Sequence, residues 1–352
     1  MLVVGALSLV TAGCSGENDE GRLVGVAMPT TTLERWVSDA ADVEAQFKEF
    51  GYGVELRFAE DVVADQVAQV DDLIDSGVSL LVIGAVDGSS LTAPLARAAA
   101  AGIPVIAYDR LLVDTPDVAY YATFDNFRVG IMQATSLVDA LGVTLDSARP
   151  DDGATVPRIE LFAGSPDDNN ASVFCAGAMS VLSTYLDRGV LEVGSGESTF
   201  EQIATQGWAP EVAEERMTRL LDSHYPGGER PAGVLSPNDG IAGGVRAALS
   251  GRGGSTGVAL TGQDADLAGV KAVVAGEQTS TVFKETRQLA ELTVSMGHAL
   301  LSGQEPETND ITSYDNGKRI VPAMLLAPQL VTADNVNQVL VEPGIYTAEE
   351  LR

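Results

Sequence analysis

From residue 23 onward, short apolar runs alternate with longer stretches in which apolar side chains recur every three to four positions. Short continuous or period-2 runs predict strands, 3.6-residue spacing predicts helices, and their regular alternation predicts βα units around parallel sheets. Residues 23–28 predict a strand; Leu33, Trp36, Val37, Ala40, Val43, Phe47 and Phe50 then recur at helical spacing until Gly51 supplies a stop. Residues 54–58 alternate as a strand, 67–74 carry a helical stripe, and 80–86 form a continuous apolar run of the kind buried in parallel sheets. A helix over 91–101, a strand at 105–108 and a pairing segment at 118–123 complete a first half. The pattern then begins again, with helices at 129–141, 172–186, 210–224, 241–249 and 267–275 between strands at 159–163, 190–193, 233–236, 258–261 and 280–283. An α/β fold of two doubly wound parallel-sheet lobes follows. A long helix at 286–301, a polar loop at 303–310 and a strand-like run at 320–326 close the chain, and the acidic stretch 147–157 reads as a surface loop.

Composition agrees with two separate cores: the 352 residues are 45% hydrophobic. The net charge of −29, from 50 acidic and 21 basic residues, repels phosphate backbones and anionic lipids, which excludes nucleic acid as a partner. The amino terminus changes the picture further. Residues 1–12 are apolar over a length too short to span a bilayer and run through Ala12-Gly13 into Cys14. The ending resembles the bacterial lipobox, so residues 1–13 read as a signal peptide, Cys14 as the lipidated residue and 14–22 as a polar tether, which predicts an extracytoplasmic protein anchored at the outer face of a membrane. The other cysteine, Cys175, falls in a helical pattern and reads as a small buried hydrophobe.

In open α/β sheets, ligands bind beyond the carboxyl ends of the strands. Five such ends here carry polar side chains: Asp109 and Arg110; Asp167, Asp168, Asn169 and Asn170; Asn238 and Asp239; Gln263, Asp264 and Asp266; and Lys284. A sugar hydroxyl is donor and acceptor together, so a mixture of carboxylates, amides and cations is the set it needs. The two indoles, Trp36 and Trp208, stand near loops and could supply an apolar wall. Asp125-Asn126 and Asp239 read instead as local helix caps, and Trp36 also fits the apolar stripe of its own helix. Catalytic groups are scarce: His224 and His298 both lie in helical segments, and no nucleophile elbow, phosphate loop or dinucleotide fingerprint is present, which argues against an enzyme and against a cofactor or metal.

Val26-Ala27-Met28-Pro29-Thr30, Glu34-Arg35-Trp36, Ala107-Tyr108-Asp109-Arg110, Tyr121-Ala122-Thr123-Phe124-Asp125-Asn126, Gly164-Ser165-Pro166-Asp167-Asp168-Asn169-Asn170, Leu235-Ser236-Pro237-Asn238-Asp239-Gly240 and Gly262-Gln263-Asp264-Ala265-Asp266 resemble the xylose-type periplasmic sugar-binding proteins of ABC transporters. The resemblance implies a type I periplasmic-binding-protein fold whose lobes are joined by three chain crossings. The first lobe would comprise 23–124 with about 284–312, and the second 125–283 with about 313–352. It also implies a monomer that holds a monosaccharide such as xylose, glucose or galactose, delivers it to an ABC permease, and can feed a chemoreceptor or sensor kinase. Matched residue by residue, it implies that Arg35, Asp109, Arg110, Asp168, Asn170, Asn238, Asp264 and Lys284 bond the sugar, with Trp36 stacked on it and Trp208 as the opposite wall. In a dehydrated cleft holding a neutral ligand these charges must pair, and Asp109 with Arg110 and Asp264 with Lys284 are the expected pairs. A transcription regulator of the same fold would need a basic helix-turn-helix where this chain has an apolar segment and an acidic linker.

Overall fold

The computed structural model describes residues 21–147, 153 and 155–352. The expected leader at 1–13, the tether up to residue 20 with Cys14, and part of the acidic loop lie outside the described residues.

The chain runs β1 (Leu23–Met28), α1 (Glu34–Glu49), β2 (Gly53–Phe58), α2 (Val63–Asp75), β3 (Leu80–Ile83), α3 (Thr92–Ala100), β4 (Val105–Tyr108) and β5 (Tyr120–Phe124). It continues through α4 (Asn126–Leu141), β6 (Arg158–Leu161), α5 (Asn169–Asp187), β7 (Glu192–Val193), α6 (Phe200–Ile203), α7 (Pro210–His224), β8 (Gly233–Leu235), α8 (Asp239–Ser250), β9 (Ala259–Leu260), α9 (Leu267–Ala275) and β10 (Ser280–Phe283). The last elements are α10 (Thr286–Leu301), β11 (Ala323–Leu326) and β12 (Gln329–Thr332).

One sheet has the order β11-β5-β4-β3-β1-β2, with every pairing parallel. Its two faces carry separate apolar clusters: Trp36, Phe47 and Tyr108 with α1 and α10 on one side, Leu73, Leu95 and Tyr121 with α2 and α3 on the other. The second sheet runs β7-β6-β8-β9. Beyond β9 the hydrogen bonds continue to β10, from Thr279 N–H to Leu260 O and from Val282 N–H to Gly262 O, and β10 pairs antiparallel with β12. Strands covered on both faces explain the near-continuous apolar runs in β3 and β4.

The lobes are linked where β5 leads into α4, where β10 leads into α10, and where β11 leads into β12. The third crossing differs from expectation. Residues 313–326 belong with the first lobe, not the second, because β11 pairs in parallel with β5, Ala323 beside Tyr121 through Leu326 beside Phe124, while Tyr314 and Val321 enter the first-lobe core. The apolar pattern marked a strand there but carried no record of which sheet, two hundred residues away, supplies its partner. The tail therefore re-enters the second lobe only at β12, a strand that the sequence pattern did not single out.

Within the second lobe, α4 and α5 cross at glycines. A Cβ on Gly177 would lie 2.1 Å from the carbonyl oxygen of Phe127, so only a bare backbone fits. Gly177→Ala is expected to cost about 1–3 kcal/mol through overpacking, visible as a melting temperature several degrees below wild type in circular dichroism.

Candidate functional site

The carboxyl ends of both sheets meet at one cleft between the lobes. Its walls are Leu33, Arg35, Trp36, Asp109 and Arg110 from the first lobe, Asp168, Asn170, Phe174, Trp208, Asn238, Gln263 and Asp264 from the second, and Lys284 from the second crossing. The space between these walls is about 380 Å³ when its open mouth is counted. All ten side chains singled out in the sequence lie on this cleft. Gln263, Phe174 and Leu33 were not assigned to it. Gln263 was legible as a strand-end neighbour of Asp264; Phe174 was not, since it reads as one more apolar residue of a helix.

The cleft is dominated by charge. Arg35 on α1 reaches Asp39 at 3.2 Å, one helical turn on, then Asp109 at 3.1 Å, and across the cleft Asp264 at 3.8 Å. Lys284 approaches the same Asp264 oxygen at 3.5 Å, as expected. The other expected pair does not form: Asp109 takes Arg35, while Arg110 turns to Asp168 of the opposite lobe at 3.3 Å and donates to the carbonyl of Ala85 at 2.9 Å. Asp109 adopts φ 60°, in the left-handed region, so the chain turns sharply after β4 and sends neighbouring side chains to different partners. Burial opposes ionisation of Asp109, but Arg35, Lys284 and Arg110 outweigh it and hold the carboxyl below the usual range. At Asp168 burial wins over Arg110 and raises the pKa. Burial also disfavours the Arg35 cation, yet Asp109, Asp39 and Asp264 together hold it more firmly protonated than an ordinary guanidinium.

Several polar contacts join the lobes directly. Asn170 donates through Nδ2 to the carbonyl of Asp109 at 2.8 Å and accepts through Oδ1 from the Tyr121 hydroxyl at 3.0 Å. Its neighbour Asn126 donates to the same oxygen at 2.9 Å. Capping and cleft lining coincide at two positions: Asp168 accepts from the N–H of Asn170 at the start of α5, and Asn238 accepts from Ile241 at the start of α8. Asp125 caps α4 as expected, but Asn126 is buried in the interlobe network, and Asp239 is no cap; its carboxylate is buried beneath the loop after β9.

The indoles face the cleft from opposite lobes. Trp36 is 1% exposed and belongs to the first-lobe core while also lining the cleft, with the Arg35 and Arg110 guanidinium groups 4.6 and 5.3 Å from its ring centroid. Trp208, at φ 56°, lies flat over Gly164, where a Cβ would fall 2.0 Å from its ring, and meets Phe174 edge-on. Five buried polar atoms of the lining residues have no hydrogen-bond partner among the described residues: Arg35 Nε, Asp109 Oδ1, Trp208 Nε1, Gln263 Oε1 and Asp264 Oδ1. Buried polar atoms are rarely left so, and all five belong to residues that wall the cleft. The two histidines are elsewhere: His298 bonds the Tyr52 hydroxyl at 2.8 Å, and His224 ends α7. Cys175 is half-buried against the second-lobe core, and burial pushes its thiol pKa up. No helix among the described residues is long and apolar enough to cross a membrane, and no cluster there could hold a metal ion.

Comparison with known proteins agrees with this architecture. Residues 24–305 match the family described as periplasmic binding protein domain. The chain is 46% identical over 333 residues to the multiple sugar-binding periplasmic receptor ChvE of Rhizobium radiobacter, covering 94% of this chain and 92% of that protein. It is 36% identical over 330 residues to the D-xylose-binding periplasmic protein of Escherichia coli, covering 93% and 92%. A solute-binding protein of an ABC transporter from Clostridium phytofermentans, solved with β-D-glucose bound, superposes with a TM-score of 0.88 at 43% identity, covering 94% of this chain and 100% of that one. The chain belongs to the xylose-type periplasmic sugar-binding proteins, with a type I periplasmic-binding-protein fold. It is an extracytoplasmic sugar-binding protein of the ABC-transport type and not an enzyme.

The lowered pKa of Asp109 sets a pH dependence. Its stabilising effect is fully present above the ordinary carboxylate range and is lost as pH falls through the lower native value. Asp109→Asn is expected to cost on the order of 3 kcal/mol at pH 7, as for other broken buried pairs. The gap to wild type should narrow only below about pH 4; thermal unfolding of both proteins at pH 7 and pH 3 checks this.

Proposed function

We propose that this receptor captures a single aldose, xylose, glucose, galactose or a similar monosaccharide, between its lobes. The observation that carries the reading is the convergence of unsatisfied donors and acceptors from both lobes on one small cleft with an indole on either side. A pyranose has apolar faces and a rim of hydroxyls, each able to donate and accept. Trp36 would stack on one face and Trp208 would close the other. Asp109 and Asp264 would accept from hydroxyls, Arg35, Arg110 and Lys284 would donate, and Asp168, Asn170 and Asn238 would complete the ring of bonds. The site charges already balance one another closely, which suits a neutral ligand. Contacts from both lobes favour the closed form, and the closed form is the shape an ABC permease would recognise.

The Rhizobium radiobacter relative is described as a receptor, which favours a second role in which the sugar-bound form also feeds a chemoreceptor or sensor kinase. Cys14 would anchor the mature protein by a lipid. Palmitate labelling of the protein expressed in a bacterial host should be lost in Cys14→Ala; label that persists would remove the anchor from this reading.

A thermal-shift screen against xylose, glucose, galactose, arabinose, ribose and fucose tests the ligand. A sugar at about a hundred times its Kd should add about 2.7 kcal/mol and raise the melting temperature by several degrees. Asp264→Ala should cut that shift to a small fraction. If the folded, sugar-free protein responds to none of the six, the monosaccharide reading falls.

A further inference from the structure

Asp239 follows the cleft residue Asn238 yet does not line the cleft. It is 2% exposed, and its carboxylate accepts from Gln278 Nε2 at 2.7 Å, Thr281 Oγ1 at 2.9 Å and the backbone N–H of Asp266 at 3.1 Å. Its own N–H donates to the carbonyl of Gln263 at 2.9 Å. Two glycines close around it: a Cβ on Gly262 would lie 2.0 Å from Oδ1, and one on Gly269 2.3 Å from Oδ2. The carboxylate therefore sits inside the turn formed by 262–269.

That turn presents Gln263 and Asp264 to the cleft. It does so with two consecutive residues in the left-handed region, Asp264 at φ 88° and Ala265 at φ 50°, neither of them glycine. Such a conformation is unfavourable for a residue with a Cβ and persists only where the surroundings impose it. Tyr346 holds the carbonyl of Ala265 at 3.0 Å and Gln133 that of Gly262 at 3.1 Å; the remaining contacts run through β10 and Asp239. Asp264 N–H donates to Val282 O at 2.9 Å, Ala265 N–H donates to Thr281 Oγ1 at 3.1 Å, and that hydroxyl donates onward to Asp239. Asp239 thus grips the turn at Asp266, through Thr281 at Ala265, and at Gln263.

We infer that Asp239 is a positioning residue of the cleft, holding the strained turn that aims Asp264 and Gln263 at the ligand. The inference deepens the sugar-binding reading and rests on it. Each hydrogen-bond partner of the carboxyl is a donor, so an amide there must turn its own N–H toward one of them, while burial and the Asp266 and Asp264 carboxylates raise the pKa of Asp239.

Asp239→Asn and Thr281→Val, each alone and combined with Asp264→Asn, would be compared with wild type in two measurements. The first is calorimetric titration with D-glucose and D-xylose. Each single variant should weaken binding at least about tenfold, and the loss from Asp239→Asn should shrink several-fold once Asp264 is already changed, since coupled residues are not additive. The second is hydrogen exchange of the sugar-free protein: residues 262–269 should exchange at least about tenfold faster in both single variants, with α4, α5 and the first lobe unchanged. Full additivity with Asp264→Asn, or exchange that rises evenly through the second lobe or not at all, would overturn the inference and leave Asp239 an ordinary core contact. If wild type binds neither sugar, the ligand reading fails, and exchange at 262–269 alone decides whether Asp239 holds the turn.

Discussion

The need to neutralise charge out of contact with bulk water governs the centre of this protein. Three cations, Arg35, Arg110 and Lys284, share the cleft region with Asp39, Asp109, Asp168 and Asp264, and each ionic contact is made at 3.1–3.8 Å. Removing such groups from water is costly unless they are paired, so their positions are interdependent. Arg35 shows this most clearly, because its guanidinium faces carboxylates from its own helix, from the end of β4 and from the opposite lobe. The backbone is bent to suit: Asp109 and Asp264 both sit in the left-handed region, where an aspartate is tolerated better than most residues. Even so, Arg35 Nε, Asp109 Oδ1 and Asp264 Oδ1 are buried without a hydrogen-bond partner among the described residues.

The same network bears on how the lobes come together. Arg110 with Asp168, and Asn170 with Tyr121 and the carbonyl of Asp109, join the lobes directly. Closure thus rests partly on the protein's own contacts. A ligand has to add only the difference between open and closed forms, which is the quantity that sets population shift. These bonds lie close to the crossings: Asn126 begins the first, Lys284 lies in the second, and Asp125 N–H bonds Leu326 O where the third leaves the first lobe. Behind them α4 packs on α5 so closely at Gly177 that no side chain fits.

The relation between sequence and structure is uneven along the chain. Strands such as β3 and β4 and helices such as α1 were legible because burial on both faces or on one stripe imposes a period of its own. Most polar cleft residues were legible because topology sends every strand end to the same edge, so polar residues after strands could be collected without knowing any distance; Arg35, on a helix, was reached only through the family resemblance. The expected Asp109–Arg110 pair failed for a matching reason: adjacency along the chain says nothing of direction once the backbone turns through positive φ. Asp239 was misread as a cap because its partners, Gln278 and Thr281, are some forty residues away. The third crossing was misplaced because 313–326 has no local feature that names β5 as its neighbour.

What the sequence by itself determined is therefore what repeats locally or follows from topology: two α/β lobes, most of their strand and helix order, and the polar side chains offered at the strand ends. Tertiary structure decided which charge meets which, which of those side chains join the lobes as well as line the cleft, and to which lobe the tail belongs. The physical reason is range. Hydrophobic periodicity is a property of a dozen neighbouring residues, whereas the pairing of buried ions and the register of β11 on β5 are settled by groups that become neighbours only after both lobes have formed.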